Sequence, residues 1–216
     1  MESRVRTEDE KLEMLKTMKG TLQEKWDMML DISAQEDVPS KDQISQINHL
    51  IDNIPAGVKK VLVVGCGDGT EMARLVARGY EAVGIQVNKK ANAIAREAGL
   101  DARDMDMHFM DFENGEFDLI MCKDCFKQSM SPTIAFAEFC RVAKKYIMIS
   151  EPDMTWAWKA RNYQLFTPEQ FSILGNKFGW PLQKFWVLDM SYVQQHNYLF
   201  KKDIKEEDDE SARSEG

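Results

Sequence analysis

Bands of apolar and polar positions divide the chain into strand-length and helix-length pieces. Val61-Leu62-Val63-Val64 is a continuous apolar run with three β-branched residues, and it reads as a strand buried on both faces of a sheet. Glycines follow at alternate positions in Gly65-Cys66-Gly67-Asp68-Gly69, and Met72 to Arg78 then carries a helical pattern. Glu81-Ala82-Val83-Gly84-Ile85-Gln86 reads as a second strand, with Asn88 placed to cap a helix running to Gly99. Phe117 to Cys122 gives another strand, and a helix follows from about Pro132 to Ala143. From Val61 to Ser150 strand and helix alternate, which is the pattern of a parallel sheet with crossover helices on both faces.

The flanks carry different periods. Leu12, Leu15, Met18, Leu22, Trp26, Met29 and Leu30 fall on one stripe of a long amphipathic helix, whose apolar face packs on the sheet or forms a dimer contact. After a break at Gln35 to Pro39, Ser40-Lys41-Asp42-Gln43 reads as a capping box opening a short helix. Ile44, Ile47, Leu50, Ile51 and Ile54 face inward on it, and Pro55-Ala56-Gly57 ends it. Further on, Thr167-Pro168-Glu169-Gln170 is a strong helix start, with Gly179 stopping the helix after Phe178. Leu182 to Met190 and Tyr192 to Phe200 read as an antiparallel strand pair. The acid-rich tail has no apolar period and is expected to be disordered. The expected division is an N-terminal helical segment over 1–57, a main domain over 58–200 and the acidic tail over 201–216.

Composition narrows the partners. Across 216 residues, 28 basic side chains against 36 acidic ones leave a net charge of −8. That balance disfavours broad nucleic-acid binding, which needs a clustered basic face. No hydrophobic run reaches membrane-spanning length and no signal peptide opens the chain, so the expectation is a cytoplasmic protein, monomer or homodimer, without a membrane partner. Four cysteines at 66, 122, 125 and 140 make no disulfide framework. Cys122 and Cys125 have the spacing of a metal pair, but no second pair exists and no metal is expected; a reactive thiol at Cys125 is the better use of that spacing. His49 and His196 read as structural residues.

The glycine loop carries the chemistry. A strand, a Gly-rich turn and a helix form half of a nucleotide-binding unit, because glycine lets the backbone approach a ligand and the helix N-terminus offers unpaired N–H groups. The dinucleotide fingerprint places its third glycine where Thr70 stands, which weakens an NAD-dependent reading. The spacing G-x-G-x-G resembles motif I of the class I S-adenosylmethionine-dependent methyltransferases. Three further segments agree in order and spacing: the strand ending at Gln86, the run from Asp106 to Asp118, and the helix containing Glu138-Phe139-Cys140-Arg141-Val142. The resemblance covers roughly Val58 to Ser150 and is to the type 11 kind.

That resemblance implies a Rossmann-like, doubly wound α/β fold of seven strands, mostly parallel with one antiparallel edge strand, plus N-terminal helices that often form a partial lid. It implies S-adenosyl-L-methionine as cofactor and a small-molecule or modest polar methyl acceptor. The implied cofactor residues are Gly65, Cys66, Gly67, Gly69, Gln86 at the ribose, Asp106 and Met107 at the adenine, and Cys122 and Lys123 after the fourth strand. Three departures stand out: Val63 replaces a common Asp, Gln86 replaces the acidic ribose ligand, and the usual turn before the fifth strand shrinks to Lys144-Lys145-Tyr146. Together they keep a second reading open, a non-catalytic methyltransferase-like subunit engaging a partner through its N-terminal helix.

Methyl transfer from a sulfonium needs alignment first, and a base only when the acceptor must lose a proton. The base candidates are Asp124, Glu151 and Asp153, in the loops outside the carboxyl ends of the strands. The acceptor candidates are Trp156 and Trp158, which could stack on a flat group, and Lys159 and Arg161, which could meet an anion.

Overall fold

A computed structural model of the chain describes residues 41–153, 166–190 and 193–203. Seven strands make one sheet: β1 (Lys60–Val64), β2 (Glu81–Gln86), β3 (Asp101–Asp104), β4 (Phe117–Lys123), β5 (Ala143–Pro152), β6 (Leu182–Asp189) and β7 (Gln194–Lys201). Their order is β3-β2-β1-β4-β5-β7-β6. The first five strands are parallel, and β7 runs antiparallel to both β5 and β6. The reversed strand therefore belongs to the edge pair but lies one place in, with β6 outermost.

Five described helices cover the sheet: α1 (Lys41–Asp52), α2 (Thr70–Ala77), α3 (Lys89–Glu97), α4 (Pro132–Val142) and α5 (Pro168–Lys177). Period-2 geometry sends alternate residues of each strand to opposite faces. Val61 and Val63 thus meet Ile47, Leu50 and Ile51 of α1 with Met72 and Leu75 of α2. Leu62 and Val64 meet the opposite layer, with Phe136 and Phe139 of α4 and Phe171 of α5. Val61, Leu62, Val63 and Val64 are essentially sealed from solvent, each contributing about 1.5–3 kcal/mol over an exposed position. That is why the run carries no polar residue.

Local signals act as expected. Asn88 caps α3 by accepting from the backbone N–H groups of Lys90 and Ala91. Thr167 and Gln170 form a reciprocal capping box at the start of α5. The capping box expected at Ser40 lies outside the described residues, as do the N-terminal amphipathic stripe and the tail beyond 203. The short stretch before the fifth strand leaves no loop at all: α4 ends at Val142 and β5 begins at Ala143. His49 and His196 occupy packing roles, His49 Nε2 accepting from Trp186 Nε1 at 2.8 Å and His196 standing edge-on to Phe185.

Candidate active site

Strand order reverses between β1 and β4, the switch point at which sheets of this kind place a ligand crevice, outside the carboxyl ends of the strands. The loop after β1 forms its floor. The backbone N–H groups of Gly65 and Cys66 both donate to the Ile85 carbonyl, at 2.9 and 3.2 Å, pinning the loop to the end of β2. Gly65, Gly67 and Gly69 have φ of 75°, 54° and 89°, the left-handed region that glycine adopts without steric cost. Their surroundings differ. A Cβ on Gly65 would stand 2.6 Å from Cys125 Sγ, and one on Gly69 would stand 2.6 Å from Leu100 Cδ1. A Cβ on Gly67 would meet nothing within 4 Å. Gly65 and Gly69 are thus held by packing, while Gly67 opens into free space.

The cysteines of the loop region point inward. Cys66 is buried with its Sγ 3.5 Å from Asn92 Oδ1, and burial pushes its thiol pKa up to about 12. Cys122 Sγ lies 3.1 Å from Cys125 Sγ, and Cys125 Sγ reaches the Val64 carbonyl at 3.3 Å. The sequence placed a reactive Cys125 thiol at the mouth; instead the sulfur is buried, filling the space that Gly65 leaves by lacking a side chain. Of these residues, the cysteines can offer the crevice only their main chain.

On the β2–β3 side, Gln86 Oε1 folds back to accept from the Val87 N–H at 3.2 Å. Asn92 Nδ2 fastens this end by donating to the Gln86 carbonyl at 2.8 Å and to Asp104 Oδ1 at 2.7 Å. Asp106 lies in the following loop with its side chain 43% exposed, and one of its oxygens is already engaged. Asp106 Oδ1 accepts from the His108 backbone N–H at 2.8 Å and from His108 Nδ1 at 2.6 Å. With Nδ1 donating to the carboxylate, Nε2 is left to accept, and it faces Ser129 Oγ at 2.8 Å and the Ser131 N–H at 3.3 Å. His108 therefore ties the loop after β3 to the loop after β4, leaving Asp106 Oδ2 free of that tie. Met107 is half-buried against the adjoining apolar cluster.

A charged network closes the β4–β5 side. Asp124 takes φ 56°, unusual for a residue with a side chain. Its carboxylate accepts from Lys123 Nζ at 2.9 Å and Gln195 Nε2 at 3.2 Å, with Lys127 Nζ at 3.5 Å. Burial alone would push its pKa up, but Lys123 and Lys127 outweigh it and hold the carboxyl well below the usual range. Glu151 is 3% exposed at the end of β5, with Oε1 accepting from the Lys127 N–H at 3.1 Å and Oε2 facing Lys127 Nζ at 3.2 Å. Burial raises its pKa despite Lys127. Asp153 is buried, its backbone N–H donating to the Gln194 carbonyl at 2.9 Å. The three base candidates thus sit on one side of the crevice. Trp156, Trp158, Lys159 and Arg161 lie outside the described residues.

Glu71, which no site expectation included, is the most conspicuous group here. It is the second residue of α2, directly beyond the glycine loop, and it is 5% exposed. Its Oε1 has no hydrogen-bond partner among the described residues. Burial pushes its pKa up to about 7; Lys123 opposes that shift, and Asp124 and Asp68 add to it. The one available sequence signal was the acid missing at Val63, which invites a search for another acid nearby.

Sheet order, glycine loop and crevice define the class I S-adenosylmethionine-dependent methyltransferase fold. Residues 62–146 match the family described as a methyltransferase domain. Solved structures agree on the fold. A SAM-dependent methyltransferase from Thermotoga maritima is 17% identical with TM-score 0.62, over 74% of this chain and 88% of that one. The magnesium protoporphyrin IX methyltransferase of Synechocystis PCC 6803, with bound S-adenosylmethionine, is 12% identical with TM-score 0.60, over 91% of each chain. A chain from the Haloferax volcanii complex of the Trm112 methyltransferase activator with its partner is 10% identical with TM-score 0.66, over 73% of this chain and 88% of that one. Compared with curated proteins by sequence, the chain matches none. Among the described residues no helix is long and apolar enough to cross a membrane.

Proposed function

We propose that the chain is a S-adenosylmethionine-dependent methyltransferase acting on a small molecule or a modest polar group. The observation that carries this reading is the glycine loop at Gly67: a left-handed glycine open to space, followed four residues on by the buried Glu71, whose Oε1 has no partner among the described residues. The residues fit the cofactor. The glycine loop would meet its methionine end, Gln86 its ribose, and Asp106 with the Met107 backbone its adenine. When bound, the group supplies an activated methyl on sulfur.

The chain's own contribution is alignment and exclusion of water. A good base needs an accessible oxygen and a pKa near the working pH. Asp124 is held too acidic by its lysines, and both oxygens of Glu151 are engaged by Lys127. An acceptor that is already nucleophilic suits such a site, and Trp156, Trp158, Lys159 and Arg161 are the candidates to hold it.

Thermal denaturation tests the reading. S-adenosylhomocysteine at about a hundredfold over its dissociation constant adds about 2.7 kcal/mol, a rise of roughly 5–10 °C for a chain of this size, while NAD gives none. A folded protein that neither adenosyl ligand shifts refutes it. Such an outcome would favour the second reading, a non-catalytic subunit, which the locked carboxylates of Asp124 and Glu151 support.

A further inference from the structure

Resting on the cofactor reading above, we propose that Glu71 is the residue that takes the cofactor's α-ammonium group, standing in for the acid absent at position 63. An acid at 63 would leave β1 from beneath the glycine loop. In this chain that position is Val63, fully sealed against α1 and α2, and it can offer no charge. Glu71, in the first turn of α2, faces Asp68 of the glycine loop and Lys123 and Asp124 after β4. Its position is built: α2 has only Gly69 as N-cap, with no side-chain bond, and Asp68 Oδ1 covers the Thr70 N–H at 2.9 Å. The next residue, Glu71, is therefore not needed as a cap. It is turned inward instead, where an acid with an unsatisfied oxygen is costly unless a ligand completes it.

The charges around it explain why the missing partner is a cation from outside. Lys123 is the one cation that reaches Glu71 among the described residues, and its Nζ already bonds Asp124 Oδ2 at 2.9 Å. The other groups facing Glu71 are Asp68 in the glycine loop, Asp124 after β4, and the buried thiols of Cys66 and Cys122. The carboxylates repel it and the thiols contribute no positive charge. An ammonium placed there gains a charge-assisted hydrogen bond and relieves the repulsion among three acids. A carboxylate ligand would worsen it, so the site selects the amine end of an amino acid.

Two ligands isolate the contact. S-adenosylhomocysteine carries the amine; its desamino analogue keeps the carboxylate and adenosine but lacks the amine. In titration calorimetry, Glu71→Gln should weaken S-adenosylhomocysteine about tenfold or more while leaving the desamino analogue unchanged. The variant keeps size and removes only charge, and its thermal melt verifies folding. The wild-type chain gives an independent readout: affinity for S-adenosylhomocysteine should rise between pH 6 and pH 8 as Glu71 loses its proton, and affinity for the desamino analogue should not. Equal weakening of both ligands by Glu71→Gln, no weakening of either, or identical pH profiles would overturn the assignment. A wild-type chain that binds neither ligand overturns the cofactor reading itself, and the assignment with it.

Discussion

Glu71 also makes a prediction about the protein without any ligand. Its pKa rises from 4.5 to about 7 because burial disfavours the charged form. A native acid with a raised pKa keeps its proton where the unfolded chain has lost it. Stability is therefore highest below about pH 4.5, declines as pH climbs toward 7, and carries the full penalty above that. Two and a half units at 1.36 kcal/mol each make that penalty about 3 kcal/mol. Glutamine has the same shape and never ionises. Glu71→Gln should thus match the wild type near pH 4 and exceed it by about 3 kcal/mol at pH 8, on the order of 6–12 °C in melting temperature. Other carboxylates titrate in both proteins, so the quantity to plot is the difference between the two melting curves at each pH. Saturating S-adenosylhomocysteine should shrink that difference, since its ammonium pairs the charge. Parallel pH profiles for the two proteins would refute the reasoning, because an exposed or already paired Glu71 carries no such penalty.

Three further outcomes are expected. Gly67→Leu should leave a folded protein, destabilised by about 1 kcal/mol for a side chain at φ 54°, yet abolish the thermal shift with S-adenosylhomocysteine, because the side chain enters the open crevice. Gln86→Glu should tighten S-adenosylhomocysteine about tenfold in calorimetry, since a carboxylate accepts from both ribose hydroxyls where an amide offers one oxygen; no gain would remove residue 86 from the ribose site. Lys127→Met should lower stability in denaturant unfolding by about 3–5 kcal/mol, because buried Glu151 would lose its opposing charge and keep only the backbone N–H of residue 127. The double variant Lys127→Met with Glu151→Leu should recover much of that loss.

The alternation of strands and helices was legible because burial on a sheet imposes period 2 and burial on one helix face imposes 3.6. Both survive in the sequence wherever a whole element faces the core, as β1 and α4 do. The caps at Asn88 and Thr167 were legible for a related reason, since a cap depends on residues within one turn. What the chain did not announce was the place of β7. Pairing of β7 with β6 is local, but its pairing with β5 is decided by contacts across more than forty residues, and a strand has the same pattern at the rim and one place inside it.

Within the site, legibility followed backbone demand. Gly65, Gly67 and Gly69 could be named in advance because left-handed φ calls for glycine whatever surrounds it. Glu71 and His108 could not. An acid in the first turn of a helix reads as a solvated charge favouring the dipole, and only the sheet's burial of that turn makes it a sealed carboxylate. His108 reads as a loop histidine until β4's loop brings Ser129 to its far nitrogen, 21 residues on. The same distinction bears on the departures from the family pattern. Val63 looks like a lost function when position 63 is considered alone, but the site's requirement is for a negative charge at a place in space. A helix entering that place from the other side of the loop can meet the requirement. The missing turn before β5 is likewise no gap, since α4 passes into β5 at Val142 and Ala143 with the sheet register still reached by Tyr146. If Glu71 meets the cofactor's ammonium as proposed, the loss at Val63 is a relocation of chemistry, and Gln86 is the departure left to change what the site presents.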